Sequence, residues 1–262
     1  MLRPRIIPSL LIRNKGLTKT VKFKDGRYIG DPLNAVRIFN EKSVDEIMVV
    51  DIDASTESRG PDFDLIRKLA AECRMPLCYG GGITTVEQAN RIINSGVEKV
   101  ALSSAVLQRP ELISDIAREL GSQSVVVVLD VRKRLLGGRY EIYVKNGTKG
   151  TGLCPFEFAK QAEALGAGEI VINSIDRDGV MEGYDMGLVR KMRAVTSLPL
   201  TVLGGAGKLD DIASLINEFG IIGAGAGSFF LYKGVYKAVL INYPSPESKD
   251  ALFNKHFESI RS

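Results

Sequence analysis

Eight short apolar runs recur along the chain with longer amphipathic stretches between them, and this alternation restricts the fold more than any other feature. The runs lie at 5–12, 47–52, 76–80, 98–102, 124–130, 168–174, 199–203 and 221–227. Several are apolar without a break, as in VVVVLD at 125–130, the pattern of a strand covered on both faces. The stretches between them have helical period. Residues 32–43 (PLNAVRIFNEKS) open with Asp31 as N-cap and Pro32 in the first turn, and Pro110 and Pro155 mark two further helix starts. Eight such units predict a closed parallel (β/α)8 barrel rather than an open sheet, and 262 residues suit one such domain over 1–262. The segment 131–150 has a Gly-Gly turn between alternating polar runs, so a β-hairpin is expected after strand five. Residues 17–31 read as a long Lys-rich loop after strand one.

The chain also repeats itself. DEIMVVDID at 45–53 resembles GEIVINSID at 168–176, placing Asp53 and Asp176 123 residues apart. GGGI at 80–83 matches GGAG at 204–207 at a spacing of 124, and IIPSLL at 6–11 falls opposite VVVVLD at a spacing of 119. Three matched pairs in one order describe two half-barrels of four βα units each. Their motifs then face each other across one barrel mouth.

Composition narrows the chemistry. A net charge of +4 is too mild to argue for nucleic acid, and 45% hydrophobic with 25% charged residues is ordinary for a globular domain. Cys73, Cys78 and Cys154 form no CxxC pair or disulfide framework, so a reduced, cytosolic chain is expected. No apolar stretch approaches membrane-spanning length, and the run in MLRPRIIPSLLIRN is too short for a signal peptide. His256 is the only histidine, which argues against histidine-based catalysis and His-rich metal sites. No metal or cofactor is expected.

Gly80-Gly81-Gly82 and Gly204-Gly205-Ala206-Gly207 each follow a strand and precede a helix. Glycine admits close backbone approach and helix N-termini favour anions, so the two loops predict two phosphate sites, although each alone could be a tight turn. Ser103-Ser104, Asp178-Gly179 and Gly227-Ser228 follow strands four, six and eight and complete the same two faces. Asp130 ends an apolar strand at the face where barrel enzymes place catalytic groups; it could act as acid or base, or anchor the inserted hairpin. Its partner by symmetry is Leu11, which has no proton chemistry. Asp51, Asp53 and Asp176 also sit at strand ends and could be structural anchors. At the opposite end, Arg5, Glu46, Lys99 and Glu169 start strands one, two, four and six, so a ring of two cations and two anions is expected, ordinarily a salt-bridge plug.

IIPSLL, KFK (22–24), GDP (30–32), GGGI, GSQSVVVVLD, GAGEI, SIDRDG, GYD and GGAGK together resemble the HisF family, the cyclase subunit of imidazole glycerol phosphate synthase, over nearly the whole chain. The resemblance implies a HisH-like glutaminase partner, with ammonia entering through the barrel bottom to reach a bisphosphorylated ribonucleotide at the top. It makes Arg5, Glu46, Lys99 and Glu169 the ammonia gate, Lys19 the mobile-loop lysine and Asp130 one of two catalytic aspartates. The other aspartate is replaced by Leu11, and Ser103-Ser104, Asn173 and Leu203 also depart from the pattern. These departures are similar to a paralogous branch associated with glycosyl amidation in surface-polysaccharide loci; the alternatives are a true histidine-pathway cyclase and a non-catalytic scaffold that activates the glutaminase.

Overall fold

The computed structural model describes residues 3–134, 137–234 and 236–261. Eight strands form the barrel: β1 Arg5–Arg13, β2 Ile47–Asp51, β3 Leu77–Gly80, β4 Lys99–Leu102, β5 Val125–Lys133, β6 Glu169–Ser174, β7 Leu200–Leu203 and β8 Gly223–Ala226. Each pairs in parallel with its sequence neighbours, and β8 closes on β1. The eight apolar runs thus correspond one for one to the barrel strands.

The unbroken apolar runs have a physical cause in the strand period of two. Ile6, Leu10, Ile47, Val49, Leu77 and Tyr79 face the helices, while Ile7, Met48, Cys78, Val126, Val171 and Leu203 fill the lumen. With both faces buried, no polar face remains to alternate. The helices between the strands begin where local chemistry requires. Asp31 caps Pro32–Glu41 by accepting from the Asn34 N–H at 2.9 Å, and Thr85 forms a capping box with Gln88 ahead of Val86–Ile93. Glu111–Leu120 follows Pro110, and Pro155 opens Pro155–Ala164.

Two hairpins rise from the C-terminal ends of the strands. After β5 the chain turns at Gly137 and Gly138 and returns as Tyr140–Val144, with Val131 opposite Ile142; Leu135 and Leu136 lie outside the described residues. The segment expected to be a loop at 17–31 is instead β-structured. Gly16–Val21 pairs antiparallel with the end of β1 and with Lys24–Gly30, so Leu11 lies opposite Thr18. The Lys-rich composition hid a strand whose residues Gly16 to Thr20 are all buried. His256 falls on the C-terminal helix Pro246–Arg261, its side chain outside the described residues.

Close packing between β7 and β8 depends on the absence of side chains from β8. A Cβ added at Gly223 would overlap Thr201 Oγ1. Gly223→Ala is therefore expected to destabilise the barrel by roughly 1–3 kcal/mol through overpacking, read as a lower urea midpoint at unchanged slope.

Candidate functional site

Strand period turns alternate side chains inward, and the site is assembled from the resulting layers. Along β5 they are Val126, Val128 and Asp130; along β6 they are Glu169, Val171 and Asn173. The last of each faces a cavity of about 150 Å³ at the C-terminal mouth. The glycine loops, Ser103-Ser104, Asp178-Gly179 and Gly227-Ser228 all line this same cavity, as do Leu11 and Lys19. The two halves of the repeat therefore converge on one space.

The glycine loops have the geometry that their sequence suggested. Gly81 (φ 121°) and Gly205 (φ 118°) adopt conformations that favour glycine, and a side chain at either would meet backbone, at the Asp51 carbonyl and the Gly183 carbonyl respectively. Both loops can pack this tightly against their neighbours only because no Cβ stands in the way. Asp51, Asp53 and Asp176 are anchors. Asp51 Oδ1 accepts from the N–H groups of Asp53 and Ala54, each at 3.1 Å. Asp53 holds the Arg13 guanidinium at 3.0 Å, and Asp176 accepts from the Lys133 N–H at 3.0 Å.

Asp130 is the one carboxylate on the cavity floor with a strongly altered proton affinity. Burial pushes its carboxyl up to about 7; a hydrogen bond from Asn173 Nδ2, 3.0 Å long, opposes that rise and the negative charge of Asp178 adds to it. Asp130 and Asn173 are register partners on β5 and β6, so the bond is fixed by the ladder itself. A carboxyl poised there can give or take a proton near neutrality. Leu11, also on the cavity wall, can do neither.

Lys19 is not on a free loop. Its side chain is buried on the first hairpin, with Nζ 4.0 Å from Asp178 Oδ1 and against Gly227. Burial lowers its affinity for a proton and Asp178 partly restores it. Asp178 also holds the hairpin itself, accepting from Thr20 Oγ1 at 2.7 Å and from the Phe23 N–H at 3.2 Å. Thr20 and Phe23 were not singled out from the sequence, because nothing in a loop-like stretch announces a contact 158 residues away.

The other four charged residues meet at the opposite end of the barrel. Lys99 Nζ lies 2.9 Å from both Glu46 Oε1 and Glu169 Oε2. Arg5 donates to Glu169 Oε1 at 2.7 Å and also bonds Glu46. Thr201 joins the ring by donating to Glu169 at 2.6 Å; its inward register, two residues before Leu203, was the available signal. Burial alone would raise Glu169, but Arg5 and Lys99, followed by the bonds from Arg5 and Thr201, hold it down at about 2. A small void of about 10 Å³ lies directly inside the ring, lined by Ile7, Met48, Cys78, Val126 and Val171. Ring, apolar lumen and mouth thus follow one another along the axis.

The molecule is a closed (β/α)8 barrel with paired glycine loops around one mouth and a charged ring at the other end. The chain matches the histidine biosynthesis protein family over residues 5–237 and belongs to that family. Proteins of Leptospira interrogans and Leptospira borgpetersenii, both named "Putative imidazole glycerol phosphate synthase subunit HisF", are 59% and 58% identical over 253 residues, 97% of this chain and 100% of each relative. The imidazole glycerol phosphate synthase subunit HisF of Alkaliphilus metalliredigens is 41% identical over 235 residues, 90% of this chain and 93% of its own. Within the family the chain is thus a HisF-type barrel. Among the described residues no helix is long and apolar enough to cross a membrane.

The Asp130 environment has a measurable consequence for stability. Its folded proton affinity exceeds the unfolded one, so folding is favoured below about pH 4, and the cost of ionising it grows between pH 4 and 7 and is complete above 7. Asp130→Asn removes that cost. The variant should match the wild type at pH 4 and exceed it by roughly 2–4 kcal/mol at pH 8, in paired denaturant titrations.

Proposed function

We propose that this chain is the synthase subunit of a glutamine amidotransferase. Ammonia released by a HisH-like glutaminase docked at the Arg5–Glu46–Lys99–Glu169 end passes along the apolar lumen to an acceptor bound at the mouth. The observation that carries the reading is the axial order of the parts. Inside the charged ring lies a small void bordered by Ile7, Met48, Cys78, Val126 and Val171, and beyond that apolar layer lies the cavity lined by Asp130. An apolar lumen offers a neutral amine no proton and leaves bulk water little foothold, so ammonia would stay a nucleophile along it.

At the mouth, Gly81, Gly82, Ser103 and Ser104 on one side and Asp178, Gly179, Gly204, Gly205, Gly227 and Ser228 on the other are proposed to hold the acceptor's phosphates. The Asp178 carboxylate contributes by retaining the hairpin that carries Lys19 rather than by touching phosphate. Lys19 is proposed to contribute positive charge within the cavity, and Asp130 acid or base chemistry. Leu11 leaves the first strand with no carboxylate at the mouth, and this favours an acceptor that needs amination without imidazole ring closure. Conversion of a sugar acetamido group to an acetamidino group in surface-polysaccharide synthesis fits that requirement.

A second reading, the histidine-pathway cyclase itself, draws support from the names that its HisF relatives carry. It requires ring closure to proceed with no carboxylate at position 11.

The conduit is tested at the ring. With its glutaminase bound, Lys99→Ala should reduce formation of aminated product from glutamine at least about tenfold, while product formation from ammonium chloride changes little. Equal losses from both nitrogen sources would make the ring a structural plug.

A further inference from the structure

The ring has a gap in its backbone support, and the C-terminal segment fills it. The ladder between β1 and β2 starts only at Ser9 opposite Met48, so residues 5–8 pair with β8 alone. The Ile6 N–H and C=O, which face β2, would be unsatisfied there. Instead the Ile6 N–H donates to Asp45 Oδ2 at 2.9 Å, and the Ile6 carbonyl accepts from Tyr243 Oη at 2.8 Å. The same hydroxyl accepts from the Asp45 N–H at 3.2 Å, so it stands between the two strands where a backbone pair would otherwise form. Lys249 Nζ donates to Asp45 Oδ1 at 2.7 Å and to the Ser43 carbonyl at 3.3 Å, and it lies 5.2 Å from the centre of the Tyr243 ring. Both Lys249 and Asp45 side chains are nearly inaccessible to solvent.

The two residues stitched in this way are the immediate neighbours of ring members. Ile6 follows Arg5, and Asp45 precedes Glu46. Arg5 and Glu46 bond each other across that same gap between the strands. Tyr243 and Lys249 lie past residue 237, where the match to the family model ends.

We propose that Asp45, Tyr243 and Lys249 form a clasp through which the C-terminal segment sets the β1–β2 spacing at the barrel bottom, and with it the closure of the charged ring. They are positioning residues that act through Arg5 and Glu46. Loss of the clasp leaves two buried backbone groups and the Asp45 carboxylate short of partners, so the strands part and the ring opens on its Arg5–Glu46 side. The consequence for nitrogen transfer rests on the proposed ammonia conduit; the clasp itself is tested without it.

Cys78 provides an internal reporter, because it lines the void directly inside the ring, whereas Cys73 is half-buried and Cys154 exposed. Site-resolved mass spectrometry can follow alkylation of all three by iodoacetamide under native conditions. Lys249→Met and, more conservatively, Tyr243→Phe should label Cys78 about tenfold faster than the wild type, as expected on losing one hydrogen bond to a charged or buried group, with Cys73 and Cys154 unchanged. Lys249→Arg should return Cys78 near to its wild-type rate. A Cys78 rate unaltered in both variants would overturn the clasp. So would a rise matched at Cys73, which would mean general loosening. Either result stands whatever the outcome for Lys99→Ala, so failure of the clasp and failure of the conduit are separable.

Discussion

Closure of eight parallel strands into one hydrogen-bonded ladder is the constraint on which the rest of this molecule depends. Once β8 pairs with β1 and β5 with β6, the strand period of two fixes which side chains enter the lumen and at what height. A one-residue slip of β6 would turn Glu169, Val171 and Asn173 out of the lumen, and a two-residue slip would move each into another layer. The charged ring, the apolar middle and the polar mouth are therefore consequences of register. The Asp130–Asn173 bond, which joins register partners, is the clearest instance.

The two ends pose different electrostatic problems. At the bottom, Glu46 and Glu169 are almost fully buried, which would be prohibitive without Lys99 and Arg5 within hydrogen-bond distance of both. Each charge is satisfied by two of the other sign, and removing one member strands the rest. Such a ring is a poor source of net stability. At the mouth the opposite holds. Among the described residues Asp130 has one amide donor and no ion pair, and its proton affinity rises into the range where it can exchange a proton at neutrality. The bottom stores fixed charge, and the top keeps an adjustable one.

Most of the barrel was legible in the sequence because it is written in short-range patterns. The eight runs mark strands buried on both faces, Asp31-Pro32 marks a helix start, and the repeated glycine loops mark one mouth. The charged ring was legible because Arg5, Glu46, Lys99 and Glu169 all fall at the same end of their strands. What stayed hidden were contacts made across the fold. The first hairpin looked like a loop because its lysines mask a buried strand, and its bond from Thr20 to Asp178 spans 158 residues. Tyr243 and Lys249 carry no motif; their partners are backbone groups of Ile6 and Ser43, whose unpaired state follows only from where the β1–β2 ladder begins.

The proposed function takes this barrel away from ring closure because Leu11, not a second aspartate, shares the mouth with Asp130. It is tested most directly by supplying the purified protein with ammonium and the bisphosphorylated ribonucleotide that the cyclase consumes, and comparing its turnover with that of a two-aspartate relative. Positioned proton transfer contributes about 10²–10⁴-fold, so turnover at least about 10²-fold lower is expected. Turnover equal to that of the relative would contradict the account.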